Sequence, residues 1–354
     1  MRKQTKTVQI GGIAIGGSQP IAIQSMTNTD TSDWEATVGQ TQALHKAGAG
    51  IVRVAWERES HKDTFARLLA LPKVAIVADI QFDYRLAVLA SELGVPKIRF
   101  NPGNVGGEGN IKKILDACKA NGTTIRIGVN SGSVSKQHLQ KAKGDKGVAL
   151  AESLLDTLAM VEKVGFDKIV LGLKSSDVVT NLTANRVIAS QTDYPLHIGV
   201  TESGVGEIAL AKSFAGLGAL LLDGIGDTIR ISLTGDPMQE VLAAQNLLRA
   251  IGVDNNFANV ISCPTCSRCK YSMSALVDKV QAMTQQCVMP LTIAVMGCVV
   301  NGPGEASDAD LGIAGGGDNK AVVFEHGEVT YTGDSQTAEK LFLQKIQQRI
   351  AGIT

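Results

Sequence analysis

Three of the six cysteines in this 354-residue chain stand where one metal ion or cluster would need them. Cys263 and Cys266 form a C-x-x-C pair in Ser262-Cys263-Pro264-Thr265-Cys266, and Cys298 opens the run Cys298-Val299-Val300-Asn301-Gly302-Pro303-Gly304-Glu305. A C-x-x-C pair sets two sulfurs on one tight turn, and the third thiol must be brought in by folding. A structural zinc takes four closed ligands of this kind, and cluster iron takes thiolates. Pro264 stiffens the first turn, while Gly302, Pro303 and Gly304 give the second a set shape that ends on a carboxylate. A buried or redox-active thiol pair is the plainer reading. Cys269 extends the run to C-x-x-C-x-x-C, the spacing of ferredoxin-type ligands, and stands as a candidate fourth ligand in place of Glu305. Cys287 reads as the end of a helix, and Cys118 shares a helical pattern with Ile114 and Leu115, so both read as apolar fillers.

A second set of reactive residues repeats one signature. Val52-Arg53-Val54, Ile98-Arg99-Phe100, Ile125-Arg126-Ile127 and Ile229-Arg230-Ile231 each hold an arginine between apolar neighbours. Side chains on a strand alternate faces, so if the flanking residues pack against helices, each arginine points the other way. Lys174, Asp79, His197, Asn101, Asn130 and Glu202 fall near the ends of similar runs. Five cations against the carboxylates of Asp79 and Glu202 leave a positive interior. Burying unpaired guanidinium groups is costly, so the imbalance calls for an anion. Arginine forks match phosphate oxygens two at a time, which suggests a diphosphate. Gly224-Ile225-Gly226 is expected to add backbone N–H donors. A structural ion-pair layer with Asp79 and Glu202 is the alternative. Glu202 is the candidate proton carrier, or else an arginine partner. His197 reads as a hydrogen-bonded core histidine.

The elements that must position these groups follow a rhythm. Residues 7–16 read as a hairpin around Gly11-Gly12. Strand-like runs follow at Pro20–Met26, Ile51–Ala55, Val74–Ile80, Lys97–Asn101, Thr124–Val129, Lys168–Leu173, Leu196–Thr201 and Thr228–Leu233. Helical patterns lie between them, at Asp33–Ala47, Arg85–Leu93, Val148–Val164 and Glu207–Phe214, with Pro237–Ile251 as the last. Strands alternating with helices predict a parallel β/α (TIM-type) barrel over residues 1–252, whose strand C-termini build the active site. An open doubly wound sheet is the rival fold. Gly252–Ala258 reads as a polar connector. Strand-like Leu291–Met296, Gly312-Ile313, Ala321–Phe324 and Glu328–Thr332, with helical Met273–Thr284 and Thr337–Ile350, predict a small α+β domain over 253–354 that carries the thiol motifs.

Apolar content of 44%, charged content of 19% and zero net charge describe a globular chain with no general attraction to nucleic acid. Neither a signal peptide nor a membrane-length apolar run is evident. Clustered cysteines argue for a reducing compartment, hence the cytoplasm.

Several segments resemble, in order, one known family. They are Gln24–Thr29, Val77–Ile80, Asn101–Asn104, Ile125–Asn130, Lys174–Asp177, Thr201–Gly204, Gly224–Thr228, Ser262–Cys266 and Gly297–Glu305. The family is hydroxymethylbutenyl diphosphate synthase, which performs the penultimate step of the methylerythritol phosphate route to isoprenoids. The resemblance covers nearly the whole chain and implies the two-domain bacterial form. It implies a 4Fe–4S cluster held by Cys263, Cys266, Cys298 and Glu305. Substrate contacts would come from Arg53, Arg99, Arg126, Asn130, Lys174, Arg230 and Ser232, with Glu202 near the reacting carbons. The cyclic diphosphate of methylerythritol would be opened and dehydrated reductively, with electrons arriving singly from flavodoxin or ferredoxin. Two positions depart from the family pattern: Gln81 stands where histidine is common, and Cys269 is an extra thiol.

A homodimer is expected as well. The eighth helix of a barrel runs back about 20 Å to the N-terminal face, and a seven-residue connector spans at most about 25 Å. One chain's thiol domain would then serve its partner's barrel. The competing readings are a phosphate- or pterin-binding barrel transferase with a structural zinc domain, and a non-enzymatic iron–sulfur carrier.

Overall fold

In a computed structural model of the protein, residues 2–130, 134–267, 269, 273–298, 306–317 and 319–352 are described, Asn130 by its backbone alone. The chain divides into two compact units, Met1–Ile251 and Gly252–Thr354.

The first unit opens with a hairpin of β1 (Val8–Ile10) and β2 (Ile13–Ile15), reversed at Gly11, whose φ of +58° suits glycine. Eight strands follow, most of them trailed by a helix. They run β3 (Ala22–Met26), α1 (Trp34–Lys46), β4 (Ile51–Ala55), α2 (Lys62–Leu69), β5 (Ala75–Asp79), α3 (Tyr84–Glu92), β6 (Lys97–Phe100) and α4 (Glu108–Asn121). The second half holds β7 (Thr124–Asn130), α5 (Lys136–Lys141), α6 (Lys146–Lys163), β8 (Ile169–Lys174), α7 (Val178–Gln191), β9 (His197–Ile198), α8 (Gly206–Leu222), β10 (Thr228–Ile229) and α9 (Pro237–Ala250). All strand pairs are parallel, β10 lies beside both β3 and β9, and a bridge from Leu171 to Leu196 joins β8 to β9. The ring is therefore closed, and the open-sheet rival is excluded.

Local chemistry explains where the helices begin. Asp33, Asp83, Asp145, Asp177 and Asp236 each accept a hydrogen bond from an N–H of the first turn that follows, starting α1, α3, α6, α7 and α9. Strand alternation explains the core. Val52, Val54, Ile98, Phe100, Ile125, Ile127, Ile229 and Ile231 are buried against the helices. Their neighbours of opposite parity face the lumen, whose character changes along its axis. At the N-terminal end Ile51, Ala75, Val77 and Val170 pack with Val8, Ile10 and Ile15, so the hairpin plugs an apolar floor. Two residues beyond Ile51 and Val77, at Arg53 and Asp79, the lumen is charged.

A polar latch ties the ring shut below. Asp227, 1% exposed, accepts from Arg2 Nη2 at 2.6 Å, Thr5 Oγ1 at 3.0 Å and Leu196 N at 2.7 Å. Lys3 donates its backbone N–H to Gly224, and Lys6 donates its own to Asp193.

The second unit is a five-stranded sheet: β11 (Ala258–Ser262), β12 (Leu291–Met296), β13 (Leu311–Gly317), β14 (Lys320–Glu325) and β15 (Glu328–Asp334). The first three are parallel and the rest antiparallel. Helices α10 (Ser274–Thr284) and α11 (Ser335–Ile350) contribute Leu276, Val280, Phe342 and Ile346 to a core shared with Ile293, Val295, Ile313 and Val323. At Gly312 a Cβ would lie 2.0 Å from the Phe324 ring, so only glycine lets that ring cross the strand.

Three expectations need correction here. The end of the connector, Ala258, begins β11, an edge strand whose half-exposed residues and interior Asn259 hide its character. The short Gly312-Ile313 run is a seven-residue strand whose glycines dilute the apolar pattern. Cys287 is buried, but it lies beyond the end of α10 rather than at a helix end. Among the described residues no helix is long and apolar enough to cross a membrane.

Removing the latch carboxylate leaves Leu196 N without its acceptor and takes the ion pair from Arg2, which keeps its bond to Gln19 O. Asp227→Ala should lower unfolding stability in urea by on the order of 3 kcal/mol. A change within about 0.5 kcal/mol, the range of ordinary surface substitutions, would mean that the latch does not hold the ring.

Candidate functional site

The charged end of the lumen is one cavity lined by Arg53, Arg99, Arg126, Gly128, Gly172, Lys174, His197, Thr201, Arg230 and Ser232. Register brings these groups to one level. Arg99 lies directly opposite Arg126 across β6 and β7, and Arg53 lies opposite Met26 across β4 and β3. Three consecutive strands carry glycine at lumen positions: Gly128, Gly172 and Gly199. A Cβ at Gly128 would stand 3.3 Å from Arg99 Nε, and one at Gly199 would stand 2.9 Å from Lys174 Nζ. The glycines therefore make both the empty space and the paths by which long cations cross it.

The charges do not balance. Asp79, 2% exposed, accepts from Arg99 Nη1 at 3.0 Å and lies 3.9 Å from Arg53 Nε. Arg230 pairs with Glu240 of α9, with Nε–Oε2 at 3.2 Å and Nη2–Oε1 at 3.3 Å. Arg126 and Lys174 pair with neither carboxylate, and Lys97, fully buried, reaches Gln24 Oε1 at 3.3 Å. Among the described residues, Arg126 Nε and Nη1, Arg99 Nε and His197 Nε2 have no hydrogen-bond partner.

The imbalance shows in proton affinities. Burial, with Arg230 and Arg99 adding repulsion against the pull of Asp79, takes Arg53 down to about 10. Burial and then neighbouring cations push Arg126, Lys174 and Lys97 well below their ordinary values. Burial alone would raise Asp79, but Arg53, Arg99 and Arg126 outweigh it and hold the carboxyl below the usual range. Guanidinium groups stay protonated in proteins, so the lumen keeps its positive charge and the fold bears the cost. An anion entering the cavity would relieve it.

Of the residues singled out from sequence, Arg53, Arg99, Arg126, Lys174, Arg230 and Ser232 share this cavity. The side chain of Asn130 and all of Glu305 lie outside the described residues. Glu202 does not line the cavity. It is exposed just beyond β9, with φ of +53°, so the ion-pair layer expected of Asp79 and Glu202 is made by Asp79 and Glu240 instead. Gly224 and Gly226 precede β10, at the floor end of the barrel. The N–H groups of Gly224 and Ile225 close onto Leu221 and Leu220, so they are not ligand donors. Asn101 caps its own turn by accepting from Gly103 N at 3.1 Å.

In the second unit, β11 and β12 run parallel with Ser262 opposite Val295, so Cys263 and Gly297-Cys298 leave the same end of adjacent strands. Gly297 N donates to Cys263 Sγ at 3.2 Å. Cys298 is buried, Cys266 is exposed, and none of the six cysteines is disulfide-bonded. Among the described residues no three His, Cys, Asp or Glu side chains are gathered as a metal site. In donor type the set fits an iron–sulfur cluster: thiols rather than imidazoles, with a backbone N–H bonded to sulfur, one of the devices that tune such clusters. Cys269 lies at the same turn: a Cβ at Gly297 would stand 2.7 Å from its Sγ and 3.2 Å from Met273 Sδ, and Cys263 and Cys269 both pack against the core that holds Met273.

Residues 5–245 match the GcpE TIM-barrel domain, and residues 259–348 match the GcpE protein C-terminal domain. The chain belongs to the GcpE family. Similar members include the protein named 4-hydroxy-3-methylbut-2-en-1-yl diphosphate synthase (flavodoxin) of Caldanaerobacter subterraneus subsp. tengcongensis. It is 49% identical over 329 residues, covering 93% of this chain and 92% of that one. Proteins of the same name from Desulfotalea psychrophila and Lawsonia intracellularis are 44% and 45% identical, covering 98% and 99% of this chain and 96% and 98% of theirs. Among solved structures, a dihydropteroate synthase from Stenotrophomonas maltophilia superposes with a TM-score of 0.51 at 16% identity, over 70% of this chain and 97% of that one. That likeness is one of barrel fold alone and does not favour a pterin transferase.

Within the GcpE fold, two polar contributors escaped notice in the sequence. Glu240 sits in the first turn of α9 and reaches the strand ends, accepting from Leu233 N at 3.0 Å as well as from Arg230. Its offset of ten residues from Arg230 was the available signal. Lys97 precedes Arg99 with the same parity, at the first residue of β6. Gln81, the departure noted above, donates to Asp79 at 3.2 Å and carries no titratable proton.

Arg126→Met separates stability from binding. It should stabilise the ligand-free protein by on the order of 1 kcal/mol or more, since a buried cation gives way to an apolar chain. It should also weaken inorganic pyrophosphate binding by about 1.5–3 kcal/mol. Urea unfolding and calorimetric titration check the two halves. Loss of stability with binding unchanged would make Arg126 a structural strut.

Proposed function

We propose that this protein reductively opens 2-C-methyl-D-erythritol 2,4-cyclodiphosphate and dehydrates it to 4-hydroxy-3-methylbut-2-enyl diphosphate, in isoprenoid biosynthesis. The observation that carries this is the uncompensated cation cage of the barrel, in a chain that also bears the thiol set and is similar over nearly its full length to synthases of that name.

Arg53, Arg99, Arg126, Arg230 and Lys174 hold the diphosphate, with Ser232 and Asn130 contributing at the rim. Their positive field keeps the phosphates ionised and holds the diphosphate in the cavity that Gly128 and Gly172 help to line. Cys263, Cys266, Cys298 and Glu305 would hold a 4Fe–4S cluster. When bound it would supply single electrons, and the carboxylate of Glu305, a harder donor than a thiolate, would be the most exchangeable of the four ligands. Flavodoxin, which the relatives' names specify, or ferredoxin is the donor. Glu202, exposed just beyond β9, delivers a proton as the hydroxyl leaves as water. Cys269 packs the thiol loop rather than binding iron.

The working enzyme is a homodimer, in the cytoplasm, with one chain's thiol unit serving its partner's barrel. Support comes from connectivity: α9 returns the chain toward the barrel floor, and only residues 251–257 separate it from β11.

Protein kept from air should contain iron and acid-labile sulfide and should convert the cyclic diphosphate when flavodoxin is reduced. Zinc in place of iron would favour the transferase reading, and a cluster untouched by substrate would favour a carrier. Cys269→Ser should keep its iron, whereas Cys298→Ser should lose it; the reverse would make Cys269 a ligand. Mixing inactive Glu202→Gln and Cys298→Ser proteins should restore activity through the mixed site that carries neither lesion. If subunits demonstrably exchange and no activity returns, the shared site is wrong.

A further inference from the structure

We propose that His197 is a ligand-contacting residue: its imidazole, neutral and protonated on Nε2, donates a hydrogen bond to a phosphate oxygen at the floor of the barrel cavity. This inference rests on the reading of that cavity as a diphosphate site.

His197 is fully buried and faces the lumen from β9. Nδ1 lies 2.8 Å from Thr228 Oγ1, on the neighbouring strand at the opposing register position. Nε2 has no partner among the described residues. The charged groups that act on the ring are Arg126 from β7, Lys174 from β8, Lys97 from β6 and Arg53 from β4, and all but Lys97 line the same cavity. All of them are donors. If Nε2 carried the lone pair, this many donors would leave it bonded, since a buried acceptor among cations attracts one strongly. An Nε2–H among the same cations finds nothing to bond, which is the observed state. The Thr228 hydroxyl then donates to Nδ1 and fixes the tautomer.

Space agrees with this assignment. The residue beside His197 on β8 is Gly172, where a Cβ would lie 3.8 Å from His197 Cβ and 3.4 Å from His197 O. The position carries no side chain of its own and is crossed by Arg126, whose Cδ would lie 3.7 Å from that Cβ, so His197 and Arg126 line the cavity together. Burial, followed by repulsion from Arg126, Lys174 and Lys97, keeps the imidazole from gaining a second proton. Arg126 Nε and Nη1 are unpartnered in the same region, so the floor offers a set of donors awaiting one acceptor-rich group. A neutral donor suits that place. It adds a hydrogen bond to the anion without adding another charge to a lumen already overloaded when empty.

The test uses full-length protein labelled with 15N-histidine and inorganic pyrophosphate as the probe. Long-range 1H–15N spectra report each ring's tautomer, and His197→Gln identifies the His197 signals by their loss. The expected result is an Nε2–H tautomer in the ligand-free protein, with that nitrogen and its proton shifting on pyrophosphate binding. Calorimetry should show roughly tenfold weaker binding in His197→Leu, the loss of a hydrogen bond to a charged group. His197→Gln, which keeps an N–H donor, should bind more tightly than the leucine variant. An Nδ1–H tautomer, or ring signals indifferent to bound pyrophosphate, would overturn the proposal while leaving the diphosphate site standing. Failure of the wild-type protein to bind pyrophosphate would overturn the site reading itself, and the proposal with it. Because the spectra come from wild-type protein, they decide the matter even if the leucine variant does not fold.

Discussion

The structure depends on a repulsion. Arg53, Arg99, Arg126, Arg230, Lys97 and Lys174 are held within one lumen against the carboxylates of Asp79 and Glu240. Such charges are tolerable only if the surrounding framework cannot relax away from them. The closed ring supplies that rigidity. Arg53, Arg99 and Arg126 are each locked at their Cα by strand ladders on both sides, Arg230 donates its N–H to Ile198 just past β10, and the apolar neighbours of all four are buried under helices. Below, the hairpin-plugged floor keeps the lumen from being simply wet, so the field is not screened from beneath. Binding energy for an anion is thus stored in the empty barrel as unmet electrostatic demand.

Much of this was legible in the chain because β-structure makes parity visible. Four arginines flanked by apolar residues in separate strand-like runs point one way under any parallel closed sheet. The eight strand positions follow from apolar runs separated by capped helices. What parity cannot reveal is a partner supplied from a helix: Glu240 meets Arg230 because α9 starts with a turn laid over the strand ends. Lys97 shares Arg99's parity, yet nothing in its neighbours says how deep in the lumen a strand begins. The lumen glycines were equally silent, since a glycine within a strand reads as weakness until its neighbours across the ladder are known.

The thiol unit shows the complementary limit. C-x-x-C spacing announces ligands by itself, but it cannot rank Cys269 against Glu305 as the fourth. Tertiary packing sets Cys269 and Met273 against the Cα of Gly297, where a side chain would clash. The strand before the first thiol, β11, was missed because an edge strand need not alternate strongly when one side faces solvent. Its parallel pairing with β12 is nonetheless what sends Cys263 and Cys298 out at the same end of the sheet.

The latch at the barrel floor has a consequence for synthesis. Arg2 meets its carboxylate 225 residues later in the chain, and β3 finds its second neighbour only when β10 has been made. At ribosomal rates this interval lasts on the order of ten seconds or more. Until it ends, the nascent chain displays an open parallel strand edge beside a row of inward-facing cations, a surface able to attract nucleic acid or another unfinished sheet. Completion of the ring hides both at once, so folding of the first unit is governed by its most distant contact.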